Sequence, residues 1–165
     1  MSLIERLQDY CLTPAMSGFE DEMVKKLSRD LKDFVDELRV DILGNVIATV
    51  RGSNPKAPAL MVFAHTDSLG MIVKKIEENG YLRIERVGGV PERILAASNV
   101  LLQAKGGKNV EGVIGFVSHH LTPPDEKYKV KPINECYVDI GQQAFRKYWM
   151  QESILELQLY TDLVL

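Results

Sequence analysis

The chain has 165 residues, 45% of them apolar and 26% charged, with a formal net charge of −3; this is the composition of a globular protein with a sizeable core. That charge, with no basic cluster, argues against nucleic acid as a partner. No apolar run approaches the roughly 20 residues of a membrane span, MSLIERLQDY holds no signal-peptide core, and Cys11 and Cys136, far apart, suggest a reducing, cytoplasmic setting rather than a disulfide scaffold.

In chain order, residues 3 to 12 have the spacing of a short amphipathic helix, with Leu3, Ile4, Leu7 and Leu12 on one face. Pro14 and Gly18 break it. Ser17 and Glu20 have capping-box spacing for a second helix that runs to about Phe34, with Met23, Val24, Leu27 and Leu31 spaced for a buried face. Residues 37 to 51 predict two strands around a tight Gly44-Asn45 turn. A polar loop, RGSNPKAP, then leads into Leu60–Ala64, an apolar run with the length of a buried parallel strand.

That run ends in His65-Thr66-Asp67. The carboxyl end of a strand is where open α/β sheets bind ligands. Side chains alternate along an extended backbone, so Asp67 shares a side with His65. Two readings stand open at this point. Either His65 caps a strand in a turn and is satisfied by Asp67, or it is a metal ligand whose second ring N–H is held by Asp67.

After Gly70 strand candidates follow one another without a helix. MIVKKIEE meets YLRIERV across Asn79-Gly80, a strong hairpin signal. NVLLQAK meets VEGVIGFV across Gly106-Gly107, HHLTPPDEKYKVKP is a polar loop, and ECYVDIG is a last strand. This is the pattern of a small antiparallel barrel or sandwich. The expected division is residues 1–69 as part of an α/β domain, 70–141 as a β domain, and a tail over 142–165. An α/β segment of this size cannot close a two-sided core, so its remainder is expected further along a longer chain, or the polypeptide is incomplete.

Six motifs occur in order: Ser17-Gly18-Phe19-Glu20, Asp41-Ile42-Leu43-Gly44-Asn45, Ala64-His65-Thr66-Asp67, Val87-Gly88-Gly89, Gly112-Val113-Ile114-Gly115 and Val138-Asp139-Ile140-Gly141. In this arrangement the chain resembles the amino-terminal half of the tetrahedral, glutamyl- or deblocking-type metallo-aminopeptidases, some of which are labelled endoglucanases or cellulases. The resemblance implies the amino-terminal part of a zinc-peptidase-like α/β catalytic domain followed by a small antiparallel β-barrel dimerisation domain. It implies two divalent metal ions, zinc or cobalt, homodimers through the β domain that join into higher assemblies, and peptide substrates. It further implies hydrolysis of the amide next to a free amino terminus by a metal-activated water, with a Glu carrying the proton.

Residue by residue, His65 matches the first metal ligand of the family and Asp67 the carboxylate that orients it. The position after Asp67 is usually Glu in the family and is Ser68 here. The other ligands and the catalytic Glu lie, in the family, beyond the dimerisation domain. His119 and His120 match a loop of the β domain and are expected to be ordinary loop residues.

The tail after Gly141 departs from the family. Codons can be chosen for Tyr148 to Leu163 that, in a shifted frame, read VLDAGINIGTPIVYRP, close to what the family would carry there. A frameshift near residues 143 to 147 is therefore expected, the alternative being an amphipathic helix that packs Ile154, Leu155 and Leu159 on the barrel. Two functions follow from the resemblance: a metallo-aminopeptidase whose present chain is truncated and catalytically incomplete, or a non-catalytic, self-associating β module from a decayed gene. No pair of carboxylates has the context of a glycoside hydrolase.

Overall fold

The computed structural model describes residues 2–104 and 108–141 and the backbone of 156–159. The Gly106-Gly107 turn, and the tail outside 156–159, lie outside the described residues. The chain divides into two compact units, 1–68 and 69–165.

In the first unit, helix α1 (Leu3–Cys11) begins at a capping box that the sequence reading missed: Ser2 Oγ accepts the Glu5 N–H at 3.2 Å, and Glu5 Oε2 accepts the Ser2 N–H at 2.7 Å. Its apolar stripe is not buried, since Leu3, Ile4 and Leu7 are all exposed. The polar side of α1 instead meets helix α2 (Asp21–Leu31): the Tyr10 hydroxyl donates to Asp30 Oδ2 at 3.0 Å, and Lys26 pairs with Asp9 while lying over the Tyr10 ring. Met23 is buried and Val24, Leu27 and Leu31 are half-buried, as their spacing predicts. A short 3-10 turn carries the helix on to Phe34.

Strands β1 (Glu37–Val40) and β2 (Val46–Thr49) pair antiparallel, with Glu37 opposite Thr49 and Val40 opposite Val46, and α2 packs against both. The turn between them is longer than a two-residue Gly-Asn turn. Asp41 organises it by accepting from the Leu43 N–H, the Asn45 N–H (both 2.9 Å) and Asn45 Nδ2 (2.8 Å), while Gly44 takes the left-handed conformation at φ +84°.

The largest departure is at Leu60–Ala64. These residues form no strand, and Leu60, Met61, Val62 and Phe63 are 80–89% exposed. The apolar pattern is real, but a buried parallel strand needs neighbours on both edges and cover on both faces. The only sheet among the described residues of this unit is the two-stranded β1-β2 ribbon, which pairs with itself.

The second unit is a closed barrel of strands β3 (Gly70–Ile76), β4 (Leu82–Val87), β5 (Asn99–Ala104), β6 (Lys108–Gly115), β7 (Tyr137–Asp139) and β8 (Glu156–Leu159), in the order β3-β4-β7-β6-β5-β8 with every pairing antiparallel. Alternation builds its core. Leu82 and Ile84 point inward from β4, Val100 and Leu102 from β5, and they meet Met71, Ile114 and Val138. Strand β8 falls in the tail, so the helical alternative fails at residues 156–159, which pair with both β3 and β5.

Two features pin the register. Gly80, at φ +90°, closes the β3-β4 hairpin with the Glu77 N–H donating to the Tyr81 carbonyl at 2.8 Å. Across β6 and β7, Gly115 lies opposite Tyr137, and a Cβ there would come within 2.6 Å of the Tyr137 ring. That ring stacks on Tyr81 with centroids 4.4 Å apart.

Two predictions follow from these turns and contacts. Gly115→Ala is expected to push Tyr137 off Tyr81 and to cost about 1–3 kcal/mol, read as a lower denaturant midpoint; a midpoint equal to wild type contradicts it. The Asp41 carboxyl is held below the usual carboxylate range, first by the Asn45 side chain, then by the backbone N–H groups of the turn. A depressed folded value means that this stabilisation is present above the unfolded pKa of about 3.9 and is lost as pH falls through the lower folded value. Asn45→Ala should move the Asp41 midpoint up toward the unfolded value in a carboxyl ¹³C titration, and an unmoved midpoint rules the account out.

Candidate functional site

His65 and Asp67 lie at the end of the exposed stretch, just before unit one closes at Ser68. What holds them is a pairing between distant segments. The Ser68 N–H donates to the Ala15 carbonyl at 2.6 Å, and Met16 and Ser68 form a parallel bridge. Ala15 and Met16 are both buried. Gly18, at φ +89°, then turns the chain toward α2.

Ser17 therefore does not cap α2. The N-cap position is Glu20, with no side-chain cap bond, and Glu20 Oε1 accepts the Gly18 N–H at 2.9 Å. Ser17 Oγ instead donates to Asp67 Oδ2 at 2.5 Å across a sequence separation of 50. The other oxygen, Asp67 Oδ1, lies 3.0 Å from His65 Nδ1, as does the Asp67 carbonyl. With two acceptors facing it, Nδ1 is the protonated ring nitrogen of the neutral imidazole. Among the described residues nothing hydrogen-bonds Nε2, and the His65 side chain is 85% exposed. Nε2 thus presents its lone pair outward.

Asp67 stays ionised. Its carboxyl is held below the ordinary range, first by the hydrogen bond from Ser17 and also by the His65 ring beside it, against the partial burial that raises it. The Ser68 hydroxyl is buried and has no hydrogen-bond partner. Ser17 is the residue that sequence reasoning missed at this site. Its motif had been noted, but nothing in the sequence ties it to a carboxylate 50 positions on.

His119 and His120 belong to the other unit, in the loop between β6 and β7, with ring centroids 5.9 Å apart and nearly perpendicular. Among the described residues no group of three or more His, Cys, Asp or Glu is placed to hold a metal ion. Both cysteines are free, Cys11 exposed and Cys136 buried. No helix among the described residues is long and apolar enough to cross a membrane.

Residues 44–148 match the sequence profile of the M42 glutamyl aminopeptidases. The chain belongs to the M42 glutamyl aminopeptidase family. This M42 chain is 42% identical over 111 residues to the lysyl aminopeptidase of Pyrococcus furiosus, a match that covers 66% of the chain and 31% of that protein. It superposes on the TET aminopeptidase of a marine-sediment Thaumarchaeota archaeon with a TM-score of 0.84 at 26% identity, covering 95% of the chain and 44% of the other. It also matches the TET1 peptidase of Pyrococcus horikoshii, described as assembling into a tetrahedron or a large octahedral shell, with a TM-score of 0.81 at 28% identity over 97% of the chain and 47% of the other. The M42 chain spans about a third of the length of the curated relatives it matches. Its fold is a mixed α/β piece similar to the TET aminopeptidases.

One prediction comes from the geometry alone. Asp67→Ala removes one of the two acceptors at His65 Nδ1 and leaves the backbone carbonyl, so it should mix the two neutral tautomers of His65 in a ¹⁵N imidazole spectrum, with the amide signals of residues 70–141 unchanged. An unmixed Nδ1–H tautomer would assign that proton to the backbone carbonyl alone.

Proposed function

We propose that this chain carries the amino-terminal portion of a metal-dependent aminopeptidase, and that His65 is one of its metal ligands. The observation that carries the reading is the His65 ring itself: Nδ1 is engaged by Asp67, Nε2 is open, and the residue stands in the region matched to M42. A metal-bound His ordinarily donates its other ring N–H to a carboxylate, which fixes the tautomer and raises the basicity of the ligating nitrogen. Asp67 has that role in this proposal. When bound, a pair of divalent ions, zinc or cobalt, would acidify a water and polarise the peptide carbonyl next to a free amino terminus.

His65 fits as one ligand and does not by itself make a site. A catalytic zinc takes about three protein ligands and an open position, and the described residues bring no such set together. The family resemblance implies that the remaining ligands and the catalytic Glu lie beyond the β domain, and the chain spans 31% of the lysyl aminopeptidase it matches. Residues 1–165 alone are therefore proposed to be catalytically incomplete, and the frameshift over 142–165 stays part of this proposal, as does a cytoplasmic location.

The barrel is proposed to join two copies of the chain, and such dimers to build a larger assembly. What supports this is the assembly described for the TET1 peptidase, with the exposed Val117 and Leu121 beyond β6 as apolar outer surface. A second reading, a self-associating β module without catalysis, is favoured by one observation: the buried core cluster lies in the barrel, while the run before His65 is exposed.

The test combines metal content, hydrolysis of a panel of aminoacyl p-nitroanilides with added zinc or cobalt, and solution mass. The 165-residue chain is expected to take up metal weakly, to lose that uptake in His65→Gln, to show no turnover, and to run as a dimer or larger. Turnover by the chain alone would overturn the incompleteness, metal uptake that survives His65→Gln the ligand role, and a monomer at every concentration the barrel's role.

A further inference from the structure

The side chain of a carboxylate is a loose support for an imidazole. The terminal torsion of Asp is broad and roughly two-fold, and the Asp67 side chain is 42% exposed, so water competes for both of its oxygens. One hydrogen bond from His65 would leave the plane of that carboxylate free to turn. The structure supplies a second point of attachment. Ser17 Oγ donates to Oδ2 while Oδ1 faces His65 Nδ1, so the two oxygens are tied on opposite sides and the plane is set.

Ser17 is itself held by backbone. The segment before it is paired to Ser68 through the Ala15 carbonyl and the Met16 bridge, the Phe19 N–H donates to the Met16 carbonyl at 2.7 Å, and the flanking Ala15 and Met16 side chains are buried. The main chain thus sets Ser17 beside Asp67, so that its hydroxyl reaches the carboxylate. Its use at Asp67 also explains why the capping-box spacing to Glu20 goes unused.

We propose that Ser17 is a positioning residue: its hydroxyl fixes the Asp67 carboxylate, the carboxylate fixes the Nδ1–H tautomer and the orientation of His65, and Nε2 is thereby presented to a metal ion. This rests on the reading of His65 as a ligand. The hydroxyl is the part that matters. Alanine would hand Oδ2 to water, whereas threonine keeps a donor at the same point.

The experiment is ¹⁵N imidazole spectroscopy of the whole 165-residue chain, at the alkaline end of a pH series where the ring ¹⁵N shifts no longer change. His119 and His120 serve as internal references and His65→Gln assigns the signals. Wild type should show the Nδ1–H tautomer predominating at His65. Ser17→Ala should mix the two tautomers at His65 alone, and Ser17→Thr should restore the wild-type pattern. In the unsubstituted chain the Ser17 hydroxyl proton should be protected from exchange, a measurement that needs no variant to fold. A zinc titration followed at the same ring should then show roughly three- to tenfold weaker binding in Ser17→Ala, less than the 10–100-fold typical when a direct partner of a ligating His is lost.

An unchanged His65 tautomer in folded Ser17→Ala, or a freely exchanging hydroxyl in wild type, would overturn the positioning role. The two failures separate cleanly. If zinc leaves the His65 ring of wild type untouched while the tautomer still responds to Ser17, the ligand reading is what falls.

Discussion

The site in the first unit depends on one short piece of parallel pairing, in which Ser68 donates to the Ala15 carbonyl and Met16 bridges to Ser68. Closing a loop of this length costs only slowly more entropy as the loop grows, so the expense is set mainly by ordering the ends. Two buried side chains, Ala15 and Met16, contribute at that closure. Everything chemical in the unit hangs from it. Ser17 stands next in the chain on one side, Asp67 on the other, and His65 is reached through Asp67. Without the pairing there is an imidazole on an exposed loop and a serine near the start of a helix, two common things with no relation to each other.

How much of this was legible in the sequence depends on how local the cause is. Helices α1 and α2, the β1-β2 ribbon and the β3-β4 hairpin follow from periodicity and turn residues that act over a few positions. The His65-Asp67 contact was legible too, because alternation along an extended backbone places the two side chains on one side. What was not legible involves partners far away or partners not supplied. Leu60–Ala64 has the composition of a buried strand, but composition cannot state whether neighbouring strands are there to receive it. Ser17 carries two competing offers, a helix N–H three residues away and a carboxylate 50 residues away, and only tertiary pairing decides between them.

The tail carried a signal that the sequence reading passed over. Leu155 to Leu159, Leu-Glu-Leu-Gln-Leu, alternate with the period of a strand, and the backbone of 156–159 completes the barrel by pairing with β3 on one edge and β5 on the other. A strand in that position is specified as much by the two open edges as by its own side chains, since each edge presents a row of unpaired donors and acceptors. Barrel closure thus depends on the edges around the strand as well as on its own pattern: alternation marks 156–159 as a strand, and only the tertiary fold states which edges it joins.

The exposed run before His65 has a consequence for binding strength. Leu60 to Phe63 make little contact with the rest of their unit, so the segment that leads to the imidazole gains little from its own neighbours for holding any one path. When only a fraction of molecules hold a binding-competent geometry, the observed dissociation constant is the intrinsic one divided by that fraction. Any surface that packs on Leu60–Phe63 and raises that fraction tightens whatever His65 holds, without touching the ring. By thermodynamic reciprocity, an ion on His65 would tighten that packing by the same factor. Metal affinity and apolar docking would then be two readings of a single equilibrium, joined through a few residues of backbone.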